Sequence, residues 1–232
     1  MIRLHRALPI LRSLFAGGLL AFSMPPWGWW PLAFVAFAVL DRELDDQDGR
    51  ARTTRGAAFG AGWLFPATFW MIDLTLPGYI AQGLIFTAFF GAAALASPSS
   101  TRRWFALPAA FMLVEAIRWR WPFGGVPLAT LPMSQADAPL GETVRLLGPL
   151  LLAFLVVLGG MALAAALRRA WLPAAVMAAT TVLIGIGAQV APQGTAIREL
   201  DIAIVQGGGP QGTRAINTDE REFFELHLEA TE

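Results

Sequence analysis

The chain has 232 residues, 56% of them hydrophobic and only 15% charged, with a mean hydropathy of +0.55. Charge is so far below the ~25% usual in soluble domains that the composition is that of a multi-pass membrane protein. Net charge is zero, the 17 cationic side chains are all arginine and cysteine is absent, which argues against nucleic acid as a partner and removes disulfides, thiolate metal sites and a cysteine nucleophile from these residues.

The N-terminus, MIRLHRALPILRS followed by LFAGGLLAFSM, has the basic start and short apolar run of a signal peptide. No small-x-small cleavage site follows, and PPWGWWP leads straight into a second apolar run, so a retained membrane hairpin is expected over residues 8–24 and 27–40, either spanning or re-entrant. Arg12 is placed to snorkel to the inner interface, and Trp27, Trp29 and Trp30 fit an aromatic belt. After the charged loop DRELDDQDGRARTTR, apolar segments at 56–76, 80–97, 104–119, 146–167 and 170–190 bring the expected number of passes to seven. Gly56 and Gly60 match small-xxx-small, a spacing too common in membrane chains to carry weight.

Arginines gather in alternate connections: Arg3, Arg6 and Arg12 at the start, then Arg42, Arg50, Arg52 and Arg55, then Arg102 and Arg103, then Arg168 and Arg169. By the positive-inside rule these connections are cytoplasmic, so the N-terminus starts inside and an odd number of passes puts Leu200 onward outside. Among the outer connections only residues 120–142 form a long one, and loops of that length are often functional.

Just before that loop stand Glu115 and Arg118, three apart on one helix face. Two readings are open for them: a paired charge holding a helix end near the headgroups, or a site for a substrate, since an ionisable residue within a membrane segment is by default a functional candidate. Asp73 reads as an interfacial helix-end residue. With only His5 and His227 in the chain, no metal cluster is expected. Gly207, Gly209 and Gly212 spell G-x-G-x-x-G, but Pro210 and Gln211 interrupt the turn and no βαβ unit closes after it, so no nucleotide cofactor is expected, nor any other.

From Leu200 the pattern changes to LDIAIVQ, a β-branched run ending in glycines that reads as a buried strand, and TDEREFFELHLEATE then starts an amphipathic helix capped by Thr218 or Asp219. A strand and one helix bury too little to fold alone. The expected organisation is an all-α multi-pass membrane bundle of about seven transmembrane helices in residues 1–196. The first strand and helix of an incomplete extracytoplasmic α/β domain would follow in residues 197–232.

Three segments carry a family resemblance. LLAFSMPPWGWWPLAFVA at 19–36 is similar to the first hairpin of the apolipoprotein N-acyltransferase family, in which an AFSPP-type turn leads into a WPLA-type helix. EAIRW and GGVPLATLPMSQ, from Glu115 to Gln135, resemble its E-x-x-R, G-F-P-W segment and terminal Ser-Gln, with Val126 and Leu128 standing at the aromatic positions. IAIVQGGGPQ resembles the V-Q-G-x-x-P-Q that opens its carbon-nitrogen hydrolase (nitrilase-like) domain. The resemblance implies a bacterial plasma-membrane enzyme whose partners are a membrane phospholipid as acyl donor and a lipoprotein as acceptor. It implies a ping-pong mechanism: a cysteine activated by glutamate takes the acyl chain as a thioester, a lysine stabilises the oxyanion, and the chain passes to the α-amino group of a diacylglyceryl-cysteine. In that family these three residues lie beyond the position of Glu232, so none here is catalytic and the 232 residues alone are expected to be inactive. Glu115, Arg118 and Gln135 are the candidate substrate-binding residues. A non-catalytic anchor that docks a partner through residues 200–232 is the alternative.

Overall fold

The computed structural model describes residues 2–124, 128–191, 198, 201–205, 207 and 219–231, with residues 2–6 described by backbone alone. Helices α1 (Ile2–Phe22) and α2 (Pro31–Leu44) form the first hairpin. They are followed by α3 (Gly49–Ala67), a single turn α4 (Met71–Leu74), α5 (Leu76–Ala96) and α6 (Arg103–Arg118). Two 3-10 turns, Leu131–Gln135 and Gly141–Thr143, cross the long loop to α7 (Val144–Leu147), α8 (Pro149–Leu167), α9 (Trp171–Val190) and the separate α10 (Glu220–Glu229). Starts are encoded locally: proline leads α2 and α8, where the missing N–H costs nothing. Asp48 caps α3 by accepting from the Ala51 N–H at 2.7 Å, and Asp219 caps α10 by accepting from Arg221 at 3.0 Å.

A helix covers each expected apolar segment, but only α5, α8 and α9 are long and apolar enough to cross a membrane, so the expectation of about seven transmembrane helices is corrected to three such candidates among the described residues. The reason lies in where charge enters each helix. The 14 residues of α2 span only about 21 Å against a hydrocarbon core of ~30 Å, and Asp41, Arg42 and Glu43 sit inside its last turn. α3 begins seven residues earlier than expected and so takes in Arg50, Arg52 and Arg55; it then stops at Ala67, where Thr68 turns the chain. α6 has 16 residues and holds Arg103, Glu115 and Arg118. Over its described side chains α1 offers the apolar stretch Ala7–Phe22.

The expected strand is also corrected. Residues 201–205 carry no strand pairing, and Ile202 and Ile204 are 75% and 93% exposed. A strand needs a neighbour to take its backbone hydrogen bonds, and the described residues supply none. The glycine motif at 207–212, save Gly207, falls outside the described residues, as do Thr218 and most of the nitrilase-like signature.

Packing is close where small residues meet. A Cβ on Gly17 would lie 2.0 Å from the Phe59 carbonyl oxygen and one on Gly62 equally near that of Leu14, so α1 and α3 touch backbone to backbone. Gly56 does the same against α5, with Ala94 at 2.4 Å, so the small-xxx-small spacing set aside above is a true interface. Between these helices the rings of Phe37, Phe59, Phe90 and Phe111 interlock at centroid distances of 5.1–6.0 Å.

One end of the bundle is tied by charge. The side chains of Arg103 and Asp41 are both 0% exposed, with Nη2 and Oδ1 2.8 Å apart. Arg103 also donates to the Ser99 carbonyl at 2.7 Å and pairs with Asp45 at 3.1 Å. Arg168, just past α8, pairs with Asp41 at 2.8 Å and with Asp45. Arg52 donates to the Ser97 carbonyl, Arg55 to that of Glu43, and Arg12 lies 3.6 Å from Glu43. Thus α1, α2, α3, α6 and α8 are joined through one network. Burial pushes the Asp45 carboxyl up, but hydrogen bonds and charge from Arg168 and Arg103 outweigh it and hold the group below the ordinary carboxylate range.

Because removing one partner leaves the other buried and unmatched, Asp41→Ala is expected to destabilise by about 3–5 kcal/mol, read as a lower melting temperature of the purified protein in detergent. Asp45 has a lowered folded pKa, so its contribution is complete above the unfolded value of ~3.9 and disappears as pH falls through the folded value. Asp45→Asn should flatten the acid limb of the stability profile below about pH 4, and a wild-type acid limb would contradict this.

Candidate functional site

At the end of the bundle away from that network, the last turn of α6 aims Glu115 and Arg118 inward. Spacing of three on a helix makes them neighbours, and the guanidinium Nη1 donates to Glu115 Oε1 at 2.8 Å. Neither meets solvent: Glu115 is 0% and Arg118 1% exposed. Three aromatic residues complete the surroundings, with the Arg118 guanidinium carbon 4.6 Å from the Phe86 ring centroid, 5.5 Å from Trp63 and 5.7 Å from Phe90.

The remaining bonds of this pair go to the long loop. Arg118 donates to the carbonyls of Leu128 at 2.5 Å and Ala129 at 3.3 Å. Glu115 Oε2 accepts from the Leu131 backbone N–H and from the Trp119 indole N–H, at 3.3 and 3.2 Å. An ion pair that would cost several kcal/mol to desolvate alone is therefore held by loop backbone, and the loop's course is fixed by the pair in return. The Arg118 Nε–H has no partner among the described residues.

Gln135 closes the 3-10 turn that Leu131 begins. Its amide Nε2 donates to the Trp30 carbonyl at 3.3 Å and the Ser134 carbonyl at 3.0 Å, fastening the loop to the start of α2. No hydrogen bond joins it to Glu115 or Arg118 among the described residues; the turn Leu131–Gln135 connects them, bonded to Glu115 at one end and to Trp30 at the other. The Gln135 side-chain oxygen is buried and has no partner among the described residues, and it stands in the wall of an apolar groove of about 400 Å3. Trp30 just before α2, Phe34 of α2, Gly159 of α8, and Val182 and Ile186 of α9 are among the other residues of the wall. Gln189, also in that wall, donates to the Pro139 carbonyl at 3.1 Å, so α9 reaches the loop at this end just before it stops at Val190. Such a groove suits a ligand with a hydrocarbon body and one hydrogen-bond donor. Among the described residues no group of His, Cys, Asp and Glu is arranged to hold a metal ion. Asp73 is set apart, in the single turn α4.

Sequence reasoning singled out Glu115, Arg118 and Gln135; the structure pairs the first two and bonds Gln135 elsewhere, to Trp30 and Ser134. The same reasoning missed the groove, whose lining comes from residues more than a hundred positions apart, and it missed Asp41 with Arg103, which it read as loop charges.

Comparison with known proteins agrees with these segments. The family described as "Apolipoprotein N-acyltransferase N-terminal domain" matches residues 16–162, which hold the first hairpin, Glu115, Arg118 and Gln135. The protein named apolipoprotein N-acyltransferase in Vibrio cholerae is 28% identical over 90% of this chain and 45% of its own length. Those of Pseudomonas syringae pv. tomato and Azotobacter vinelandii are 32% and 28% identical, over 62% and 88% of this chain and 32% and 44% of their own lengths. The chain thus spans less than half the length of these relatives.

Glu115→Ala leaves a buried guanidinium unmatched, an expected loss of roughly 3–5 kcal/mol, and should lower the amount of folded protein recovered from membranes. Adding Arg118→Ala should restore part of it. Equal abundance of wild type and both single variants in isolated membranes would rule out the ion pair as the support of the loop.

Proposed function

The chain belongs to the apolipoprotein N-acyltransferase N-terminal domain family, an acyltransferase family of bacterial membranes by the names of its members, and from that premise we propose that it is the membrane part of a phospholipid:apolipoprotein N-acyltransferase. The donor is a membrane phospholipid, the acceptor the α-amino group of a lipoprotein's diacylglyceryl-cysteine. Residues 1–196 hold the lipid, and residues 197–232 open an extracytoplasmic carbon-nitrogen hydrolase domain that carries the nucleophile. No cysteine or lysine lies in these 232 residues, so in this reading they bind and position while the bond-making groups are supplied by the rest of the enzyme.

The observation that carries the proposal is the apolar groove beside the 3-10 turn of the long loop, with the uncommitted Gln135 oxygen in its wall. In this reading an acyl chain lies against Phe34, Val182 and Ile186, Gln135 accepts from a donor near the chain's head, and Glu115 with Arg118 acts indirectly by fixing the turn. The orientation has its own support. Arg12, Arg42, Arg52, Arg55, Arg103 and Arg168 lie at the charged end, against Arg118, Arg120 and Arg145 around the loop, which favours a cytoplasmic charged end, a cytoplasmic N-terminus and an extracytoplasmic C-terminal segment. The anchor reading has one observation in its favour: α10 has no buried residue and shows Phe224 and Leu228 to solvent.

The test is N-acylation of a lipoprotein, followed by mass spectrometry of its N-terminus in cells depleted of their own enzyme. The 232-residue chain alone should add no acyl chain. Residues 1–196 joined to the corresponding C-terminal part of the Vibrio cholerae relative should restore acylation, and Gln135→Ala in that fusion should reduce it at unchanged membrane abundance. Acylation by the chain alone would refute the assignment of chemistry to other residues; a stable fusion without activity would favour the anchor. For orientation, a reporter active only in the cytoplasm, fused after Glu232, should be silent, and a strong signal would reverse the topology.

A further inference from the structure

At the charged end, α2 and α8 part to leave a second groove, of about 480 Å3. Val35 and Val39 of α2 face Leu163 and Leu167 of α8 across it, and Arg42 and Arg168 stand at its mouth. Asp41 and Asp45 share that mouth, but Arg103 and Arg168 each pair with both carboxylates. Two negative charges are thus matched by two positive ones. Arg42 is left over: it is exposed and makes no hydrogen bond or ion pair among the described residues. The result is an apolar slot, open along its side, with one uncompensated cation at its polar end. Leu167 is 72% exposed beside it and adds apolar surface to the rim. From Val35 to Arg42 the slot follows about 10 Å of helix, less than the ~15 Å depth of one hydrocarbon leaflet.

We propose that this groove is a binding site for an anionic phospholipid, whose headgroup phosphate meets Arg42 and one of whose acyl chains lies along Val35, Val39, Leu163 and Leu167. Charge complementarity selects the occupant. A zwitterionic lipid offers the same phosphate but carries its own cation into a mouth where Arg42 and Arg168 already stand, whereas an anionic headgroup brings only the charge the mouth lacks. Arginine suits the phosphate because its planar fork offers two parallel donors. The neighbouring Arg169 adds a second exposed cation on the same side. The site is at the opposite end of the bundle from Gln135, shares no residue with the groove there, and holds whether or not the acyl-transfer reading does. Its consequence is structural: a lipid held here pins α2 to α8 and sets the charged end at the level of the headgroups.

Native mass spectrometry of the purified chain, equilibrated with equal parts of phosphatidylglycerol and phosphatidylcholine, reads the retained lipid directly. Wild type should keep phosphatidylglycerol in preference to phosphatidylcholine. Arg42→Gln removes no internal bond, so melting should be unchanged while that preference falls about five-fold, the worth of one basic residue at an anionic surface. Val35→Trp, which fills the slot from its rim, should reduce retention of both lipids, and Arg120→Gln at the far end should leave the preference as it is. Absence of any preference in wild type would overturn the proposal, as would an equal fall for Arg42→Gln and Arg120→Gln, which would mark attraction to overall charge in place of a site.

Discussion

A guanidinium taken out of water has to be met by charge, carbonyl oxygen and polarisable surface together, and Arg118 is met by all three. Glu115 supplies the charge, Leu128 and Ala129 the carbonyls, and Phe86, Trp63 and Phe90 the rings. The aromatic residues belong to the same core that packs α3, α5 and α6, since the Phe90 ring also packs at a tilt against Trp63 and Phe111. The loop backbone therefore acts as a ligand of the core, and a segment with little helix of its own acquires a fixed course. Through Leu131 and Gln135 that course reaches Trp30 and forms one wall of the outer groove.

The second fully buried arginine, Arg103, works at the other end by the same rule but with a different result. Its partners, Asp41 and Asp45, come from α2 and the turn after it, so the interaction ties helix to helix where Arg118 ties helix to loop. Drawing charge into the ends of α2, α3 and α6 shortens their apolar stretches. α2 and α6 pack mainly against α8, and α3 against α1 and α5, while α5, α8 and α9 supply the lengths that match a bilayer. A hydropathy window sees only the apolar run, because it assigns each charged residue to a loop. The structure puts Asp41, Glu43 and Arg103 inside helices and satisfies them there.

What could be read from sequence was local. The three-residue spacing of Glu115 and Arg118 made them neighbours, and Asp219 before an acidic turn marked a helix start; both need only the geometry of one helix. The match of Asp41 to Arg103 joins residues 62 positions apart, and nothing in either segment names the other. Gly56 was undervalued for the same reason, since a small residue gains meaning only from the backbone that approaches it. The β-branched run at 201–205 shows the reverse error: its pattern is that of a strand, but a pattern cannot supply the neighbour on which a strand depends.

The two grooves differ in the group each leaves uncommitted, and this decides what each can select. At the loop end the group without a partner among the described residues is a neutral carbonyl oxygen, Gln135 Oε1, enclosed by apolar side chains and buried. It can reward a ligand only for bringing a donor, and it discriminates strongly because an unmatched polar group in such surroundings is costly. At the charged end the free group is a cation at the rim, in contact with water. It attracts negative charge over a longer range but discriminates less, since water and salt compete for it. The first arrangement suits recognition of a particular donor group on an apolar ligand, and the second suits retention of an anionic amphiphile.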